Sequence, residues 1–293
     1  MTAEKALTRE GVGAHVSTRG GYAAAARRAW ESGAGAYQYF PKNPRSLRPK
    51  AFDSADAARC AVYGLDKGIQ SIAHTPYPTN PAAGPADSVP RPVMTASIRN
   101  DLEIAEACGS AGIVVHFGHF KGNDPLQGYQ NIIQCINESL DGWRGRCRLL
   151  LENQAGQGGT EGAMLEELVK VRELCRYPEK VGFCFDTCHA YASGLWNPER
   201  TGELLEKGDR LGYWSGLAAV HLNDSVYGFG SRRDRHARIG EGQIGAEALR
   251  GFLTSPPVVG AIAVLETEPG PDGTHRQEIG LVRSWRTGDS PHD

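Results

Sequence analysis

Nine residues of types that can bind divalent metals stand at the ends of short strand-like runs or in the segments just after them: His74, His116, Glu152, Asp186, His189, His221, Asp234, His236 and Glu266. Imidazole nitrogens and carboxylate oxygens suit Zn2+. Taken singly, each has an ordinary explanation. A histidine at the end of an apolar run is more often a satisfied polar residue than a ligand. Asp186-Thr187-Cys188-His189 alone reads as a capped turn. Their joint placement is harder to dismiss, because His74, His116, Glu152, Asp186, His221 and Glu266 each close a short apolar run. Glu152 follows Leu149-Leu150-Leu151 and Glu266 follows Ala263-Val264-Leu265. A carboxylate at the mouth of a buried strand needs partners, since desolvating its charge is costly. Nine donors exceed one tetrahedral site and fit two or three ions that share a carboxylate. Three divalent ions set against four carboxylates leave about +2, a local field that attracts phosphate. Several ions in one site also suit in-line phosphodiester cleavage, with one readying the attacking water and others stabilising the attacking and leaving oxygens.

Such a set converges only if the elements that carry it are arranged to make it converge. Strand-like runs are read at Gly11–Ser17, Ala36–Phe40, Ile69–His74, Gly112–His116, Cys147–Asn153, Lys180–Asp186, Leu217–Asn223 and Ala261–Glu266. Helical patterns alternate with them at Gly20–Ser32, Ser54–Lys67, Val93–Ser110, Asp124–Ser139, Glu161–Cys175, Glu199–Leu211 and Ala246–Leu253. Repeated βα units imply parallel strands buried on both faces. Eight of them suggest closure into a (β/α)8 TIM barrel, whose carboxyl-terminal rim gathers the strand ends. An open doubly wound sheet is the alternative. The Pro-rich stretch Pro76–Pro92 and the Arg/Gly-rich stretch Asp224–Gly245 read as long loops, which in such a fold are more often functional than decorative.

The chain has 293 residues, within reach of one α/β barrel domain of about 250 residues. It reads as a single domain with loose ends at 1–10 and 283–293. With 40% hydrophobic and 23% charged residues it is ordinary for a globular protein. Lys plus Arg number 32 and Asp plus Glu 34, a net charge of -2. That balance excludes a general basic nucleic-acid coat protein. There is no secretory signal pattern and no apolar run of the roughly 18 residues that would span a membrane. The seven cysteines lack framework spacing and mostly sit in apolar segments. They are read as reduced, buried thiols of a cytoplasmic protein. No Walker or Rossmann glycine pattern implies a nucleotide cofactor.

A wider set of motifs resembles the endonuclease IV family of abasic-site endonucleases (AP endonuclease family 2), in order over about residues 11–270. It comprises Gly13-Ala14-His15-Val16-Ser17, Tyr39-Phe40-Pro41-Lys42-Asn43-Pro44-Arg45, and Leu151-Glu152-Asn153-Gln154-Ala155-Gly156-Gln157-Gly158. Phe185-Asp186-Thr187-Cys188-His189, Val220-His221-Leu222-Asn223-Asp224 and Asp234-Arg235-His236 follow, then Gly240-Glu241-Gly242 and Leu265-Glu266-Thr267. The resemblance implies about three Zn2+ per chain, with Mn2+ admissible at one position. His74, His116 and Glu152 would hold one ion. Glu152 would bridge to a second, completed by Asp186, His221 and Glu266, and would help orient the nucleophile. His189, Asp234 and His236 would hold the third. Tyr77 and Arg45 match positions that, in the family, push into the DNA stack and support flipping of the lesion. Lys42, Asn43 and Arg45 also form a polar, basic loop beside a strand end, suited to phosphate contact. Tyr77, between Pro76 and Pro78, is held stiffly, as a stacking wedge should be.

The sequence departs from the family pattern in three places. Phe117-Gly118-His119 is one residue shorter than the usual run after the second histidine, so His119 is not assigned as a ligand. The loop Tyr77–Pro92 is rich in Pro and Ala, and Ala237 stands where a second His is common. The resemblance implies a metal-dependent hydrolase of the deoxyribonuclease IV type, cutting 5′ to an abasic site and leaving a 3′-hydroxyl. Its implied partner is double-stranded DNA bound by a monomer. Two other readings use the same residues. A xylose-isomerase-like sugar isomerase or epimerase would use one or two divalent ions and would not need His189, Asp234 and His236. A non-catalytic binder of DNA lesions would use zinc for structure only, although structural zinc sites are usually closed and Cys-rich.

Overall fold

A computed structural model describes residues 11–84, 89–122, 124–159 and 161–288. Along the chain run β1 (Val12–His15), α1 (Tyr22–Glu31), β2 (Ala36–Tyr39), α2 (Ser54–Lys67), β3 (Gln70–His74), α3 (Arg91–Ala107) and β4 (Gly112–His116). Then come α4 (Pro125–Leu140), β5 (Arg148–Glu152), α5 (Leu165–Leu174), β6 (Val181–Asp186), α6 (Thr187–Ser193), α7 (Thr201–Leu211) and β7 (Leu217–His221). The chain continues through β8 (Asp224–Ser225), β9 (His236–Ala237), α8 (Ala246–Leu253), β10 (Ile262–Leu265) and α9 (Arg276–Thr287). Eight parallel strands close a barrel in the order β1-β10-β7-β6-β5-β4-β3-β2. The fold is the TIM barrel expected from the βα alternation. An open sheet is excluded by the pairing of β1 with both β2 and β10.

Two apolar layers hold the strands. Ala36, Ile72, Val114, Leu150, Cys184, Ala219, Ile262 and Val264 form one small buried cluster, as the packed interior of a barrel requires. A larger cluster packs strand residues such as Leu149, Leu151, Phe183 and Phe185 against helix residues such as Ile98, Leu102, Ile132, Leu168 and Leu249. Side chains alternate between these layers along each strand, so the last residue of a strand has its direction fixed by period and register. Gly13 shows how tight the closure is. A Cβ there would lie 1.7 Å from the Ala36 carbonyl oxygen, so only glycine lets β1 and β2 pair in this register.

Three elements differ from the sequence reading. The tail read over residues 283–293 is corrected: α9 is helical through Thr287, with Ile279 and Val282 buried. Arg286 donates to the Ala261 carbonyl at 2.8 Å, fixing the helix across the amino-terminal end of β10. The other loose ends, residues 1–10 and 289–293, lie outside the described residues, as do residues 85–88 of the Pro-rich loop. Thr187–Ser193 is a short helix rather than a turn, and Asp186 is its N-cap, accepting from the His189 N–H at 2.7 Å. The long loop Asp224–Gly245 contains the antiparallel ribbon β8–β9. It is folded around the buried Asp224 carboxylate, which accepts from the N–H groups of Gly240, Gly242, Ile244 and Gly245 at 2.8–3.2 Å. A Cβ at Gly242 would lie 2.4 Å from that carboxylate. The seven cysteines are all buried. No helix among the described residues is long and apolar enough to cross a membrane.

Candidate metal centre

Register brings the strand ends together at the carboxyl-terminal rim. His116 is level with Glu152 on β4 and β5, and Asp186 is level with His221 on β6 and β7. β8–β9 carries His236 back over the same rim. All nine candidate donors fall into three groups, the ligand atoms of each lying within 4.8 Å of one another, and the first two share Glu152: His74, His116 and Glu152; Glu152, Asp186, His221 and Glu266; and His189, Asp234 and His236. Asp186, Cys188 and His236 form a further combination, but Cys188 Sγ faces the Arg235 carbonyl at 3.7 Å. Glu152 belongs to two groups and lies between them. Its Oε2 is 3.3 Å from His116 Nε2 and 3.7 Å from His74 Nε2, and its Oε1 is 2.8 Å from His221 Nδ1. Asp234 Oδ2 is 3.3 Å from His189 Nε2, and its Oδ1 is 3.3 Å from His236 Nε2. His119 stands outside these groups, its backbone held by the Asn80 side chain.

Surrounding groups settle which imidazole nitrogen faces inward. His74 Nδ1 lies 2.7 Å from the Thr75 carbonyl and His189 Nδ1 lies 2.9 Å from the Asn153 carbonyl. A carbonyl only accepts, so each Nδ1 carries a hydrogen, and each Nε2 faces the carboxylates as the nitrogen that a bound ion would engage. Asn153 and Asn223, both fully buried, hold Asp186 in turn. The Asn153 side chain accepts from the Asp186 N–H at 2.8 Å, and the Asn223 amide donates to Asp186 Oδ2 at 2.8 Å. Asp186 thus caps α6 with one oxygen and presents the other to the rim. The residue is therefore the helix cap of the ordinary explanation and also lies among the other candidate donors.

The electrostatics describe a site built for positive charge. Burial would raise Glu152, but His221 and His116 hold it well below the carboxylate range. Burial likewise opposes ionisation of Glu266, yet His221 draws it down to about 2. For His236 burial favours the neutral ring, but the Asp234 carboxylate and Asp186 raise it to about 9. His189 and His221 are also raised well above the imidazole range against their burial, by Asp186 and Asp234 in the first case and by Cys184, Glu266 and Glu152 in the second. Metal-free, the carboxylates are balanced by protons that bound cations would replace. Glu152 Oε2 and His236 Nε2 are buried without hydrogen-bond partners among the described residues, and both point into the donor groups. Orphaned polar atoms aimed at mixed N and O donors are what a divalent-metal site requires.

Seven of the nine donors, all but Asp186 and His221, open onto a cavity of about 400 Å3 that His15, Phe40, Tyr77, Pro269 and His275 also line. Tyr77 is 61% exposed and its ring meets Phe40 edge-on at 5.2 Å. Its N–H donates to the Pro44 carbonyl at 2.8 Å, tying the loop after β3 to the loop after β2. Asn43 and Arg45 are exposed on that second loop. Lys42 is not. The expected phosphate contact by Lys42 is corrected, because its ammonium is buried 2.8 Å from Asp101 and 2.7 Å from the Ser97 carbonyl. Residues to which sequence reasoning assigned no role include His15, Gln38, Asn153, Asn223, Asp224 and His275. Asn153, Asn223 and Asp224 each follow a strand-end donor or its neighbour, the one signal that could have found them.

Residues 26–285 match the family described as a xylose isomerase-like TIM barrel. A probable endonuclease 4 from Symbiobacterium thermophilum is 39% identical over 273 residues, covering 93% of this chain and 98% of the relative. One from Heliobacterium modesticaldum is 35% identical over 274 residues, covering 93% and 98%. The crystal structure of endonuclease IV from Thermus thermophilus superposes with a TM-score of 0.82 at 33% identity, covering 95% of this chain and 99% of that one. A D-tagatose 3-epimerase-like protein shares the fold at a TM-score of 0.64 and 21% identity, covering 91% and 95%. On the rim geometry and these likenesses together, the chain belongs to the endonuclease IV family.

Proposed function

We propose that this protein is a zinc-dependent AP endonuclease, hydrolysing the phosphodiester 5′ to an abasic site in duplex DNA and leaving a 3′-hydroxyl. The observation that carries this reading is the sharing of Glu152 between two of three adjoining donor groups beneath an open cavity. A sugar isomerase working with one or two ions would leave His189, Asp234 and His236 without a task.

Nine residues would hold about three ions: His74, His116 and Glu152 the first, Glu152, Asp186, His221 and Glu266 the second, His189, Asp234 and His236 the third. When bound, such a cluster supplies a nucleophile at neutral pH and neutralises charge developing on phosphate oxygens. Glu152, level with His116 and facing His221, would bridge two of these positions and help orient the attacking water. Asp186 is fixed by Asn153 and Asn223, so the oxygen it presents to the rim would hold direction without reorganisation. Tyr77 and Phe40 stand at the mouth of the cavity, where an aromatic face can fill the gap left by a missing base. Arg45 and Asn43, exposed on the loop after β2, would meet the strand backbone.

The test is incision of a duplex oligonucleotide carrying one tetrahydrofuran abasic analogue, before and after chelation, with both product ends identified. Cleavage 5′ to the analogue, lost on chelation and restored by zinc, supports the proposal. Intact substrate after incubation with metal-loaded protein would contradict it.

A further inference from the structure

His74 and His189 each turn their outward nitrogen to a backbone carbonyl, but His221 does not. Its Nε2 lies 2.8 Å from Oε1 of Gln38, a side chain on β2, across the barrel mouth from β7. Gln38 is fully buried, in a strand otherwise made of Ala36, Tyr37 and Tyr39. Burying an amide costs free energy unless its groups are satisfied. Here they are: Gln38 Nε2 donates to Glu266 Oε1 at 2.6 Å and lies 3.3 Å from His15 Nδ1.

The orientation of this amide follows from its partners. Glu266 offers oxygens that only accept, so the amide nitrogen must face it. The amide oxygen therefore faces His221, and an oxygen only accepts, so His221 carries its hydrogen on Nε2. Nδ1 faces Glu152 Oε1 at 2.8 Å, Glu266 Oε2 at 3.2 Å and Asp186 Oδ2 at 3.9 Å; it donates to Glu152 while no ion is bound, and it is the nitrogen left to bind one. His74 and His189 use the opposite pattern, Nδ1 outward and Nε2 inward.

We infer that Gln38 is a positioning residue of the metal centre: it fixes His221 as the Nδ1-donating ligand and orients Glu266 in the same group through one amide. This rests on the metal-centre reading above. Because a side chain performs the task that backbone carbonyls perform at His74 and His189, it can be removed by substitution. Groups that orient a ligand in this way typically change metal affinity by about 10–100-fold.

The experiment compares zinc-loaded full-length wild type with Gln38→Met, which keeps the length of the side chain and removes both hydrogen bonds. Zinc is competed off with a colorimetric chelator, folding is followed by circular dichroism, and long-range 1H–15N spectra report the ring nitrogens of His221. The expected result is that the variant stays folded and holds one zinc about 10–100-fold more weakly. The wild-type spectrum should show His221 bound through Nδ1 with a slowly exchanging Nε2–H, and that proton should exchange rapidly in the variant. Unchanged affinity for every zinc in Gln38→Met, or His221 bound through Nε2 in the wild type, would overturn the inference while leaving the metal centre standing. Wild-type protein that takes up no zinc would overturn both. Were the variant unable to fold, the wild-type spectrum would decide alone.

Discussion

The strand ends and the loops above them behave differently. The donors at the ends of β3 to β7 converge because pleat and register leave them no choice of direction: His74, His116, Glu152, Asp186 and His221 share one rim. The polar residues of the loop after β2 diverge. Asn43 and Arg45 face solvent, whereas Lys42, in the same run, turns inward to Asp101. On the proposed function, metal chemistry would be set mainly by the rigid frame, and substrate contact by segments whose side-chain directions the sequence does not dictate. Changes at strand ends should damage turnover without altering DNA affinity much, and changes in the loops should do the reverse, except at Lys42 and at the loop donors Asp234 and His236.

The largest effect is expected at Glu152. Glu152→Gln should lower incision on the order of 10³-fold, with circular dichroism unchanged. Near-normal rates would remove the shared carboxylate from the mechanism and with it the contrast between frame and loops.

Lys42→Met comes next and tests the exception. It leaves the Asp101 carboxylate buried without its cation, which should cost about 3–5 kcal/mol of stability near pH 8. Burial lowers the Lys42 ammonium despite Asp101, and raises Asp101 to about 7 despite Lys42. Asp101 in the fold thus binds its proton more tightly than an unfolded aspartate, which titrates near about 4. The stability this group contributes is fully present below that value and is lost as pH rises through about 7, a window that should move upward once Lys42 is gone. Urea titrations at pH 6 and pH 8 measure this. A variant as stable as wild type at pH 8, but weaker on DNA, would return Lys42 to the phosphate-binding set.

Tyr77→Ala should weaken binding to abasic duplex by about 1–3 kcal/mol while leaving bound zinc unchanged. Fluorescence anisotropy with the tetrahydrofuran duplex decides it, and equal affinity for wild type and variant would rule out a stacking role. The smallest effect belongs to Arg45→Ala, which should reduce the salt dependence of binding by about one ion in the log–log slope. An unchanged slope would mean that Arg45 meets no phosphate.

The legibility of this molecule follows the same division. Apolar runs closed by a single polar residue are visible in a sequence, and they locate the barrel and six of the nine donors. Asp234 and His236 are visible by motif, although their convergence depends on the ribbon β8–β9 and the loop wound around Asp224. Gln38 is hidden because it lies inside a strand, where one polar residue among aromatic ones carries no spacing signal. The helix Arg276–Thr287 is hidden by Pro269–Gly273 before it and by its many charges, while Ile279 and Val282 supply only a narrow buried stripe. Lys42 is misplaced because composition reports a basic loop but not the Asp101 carboxylate waiting on α3.

The most direct measurement is the metal content of the full-length protein, purified from zinc-supplemented cells without chelators and analysed by atomic emission. About three zinc per chain are expected if the three donor groups act as one centre. One or two manganese, with His189, Asp234 and His236 empty, would contradict the trinuclear centre and favour the sugar-isomerase chemistry of the same barrel.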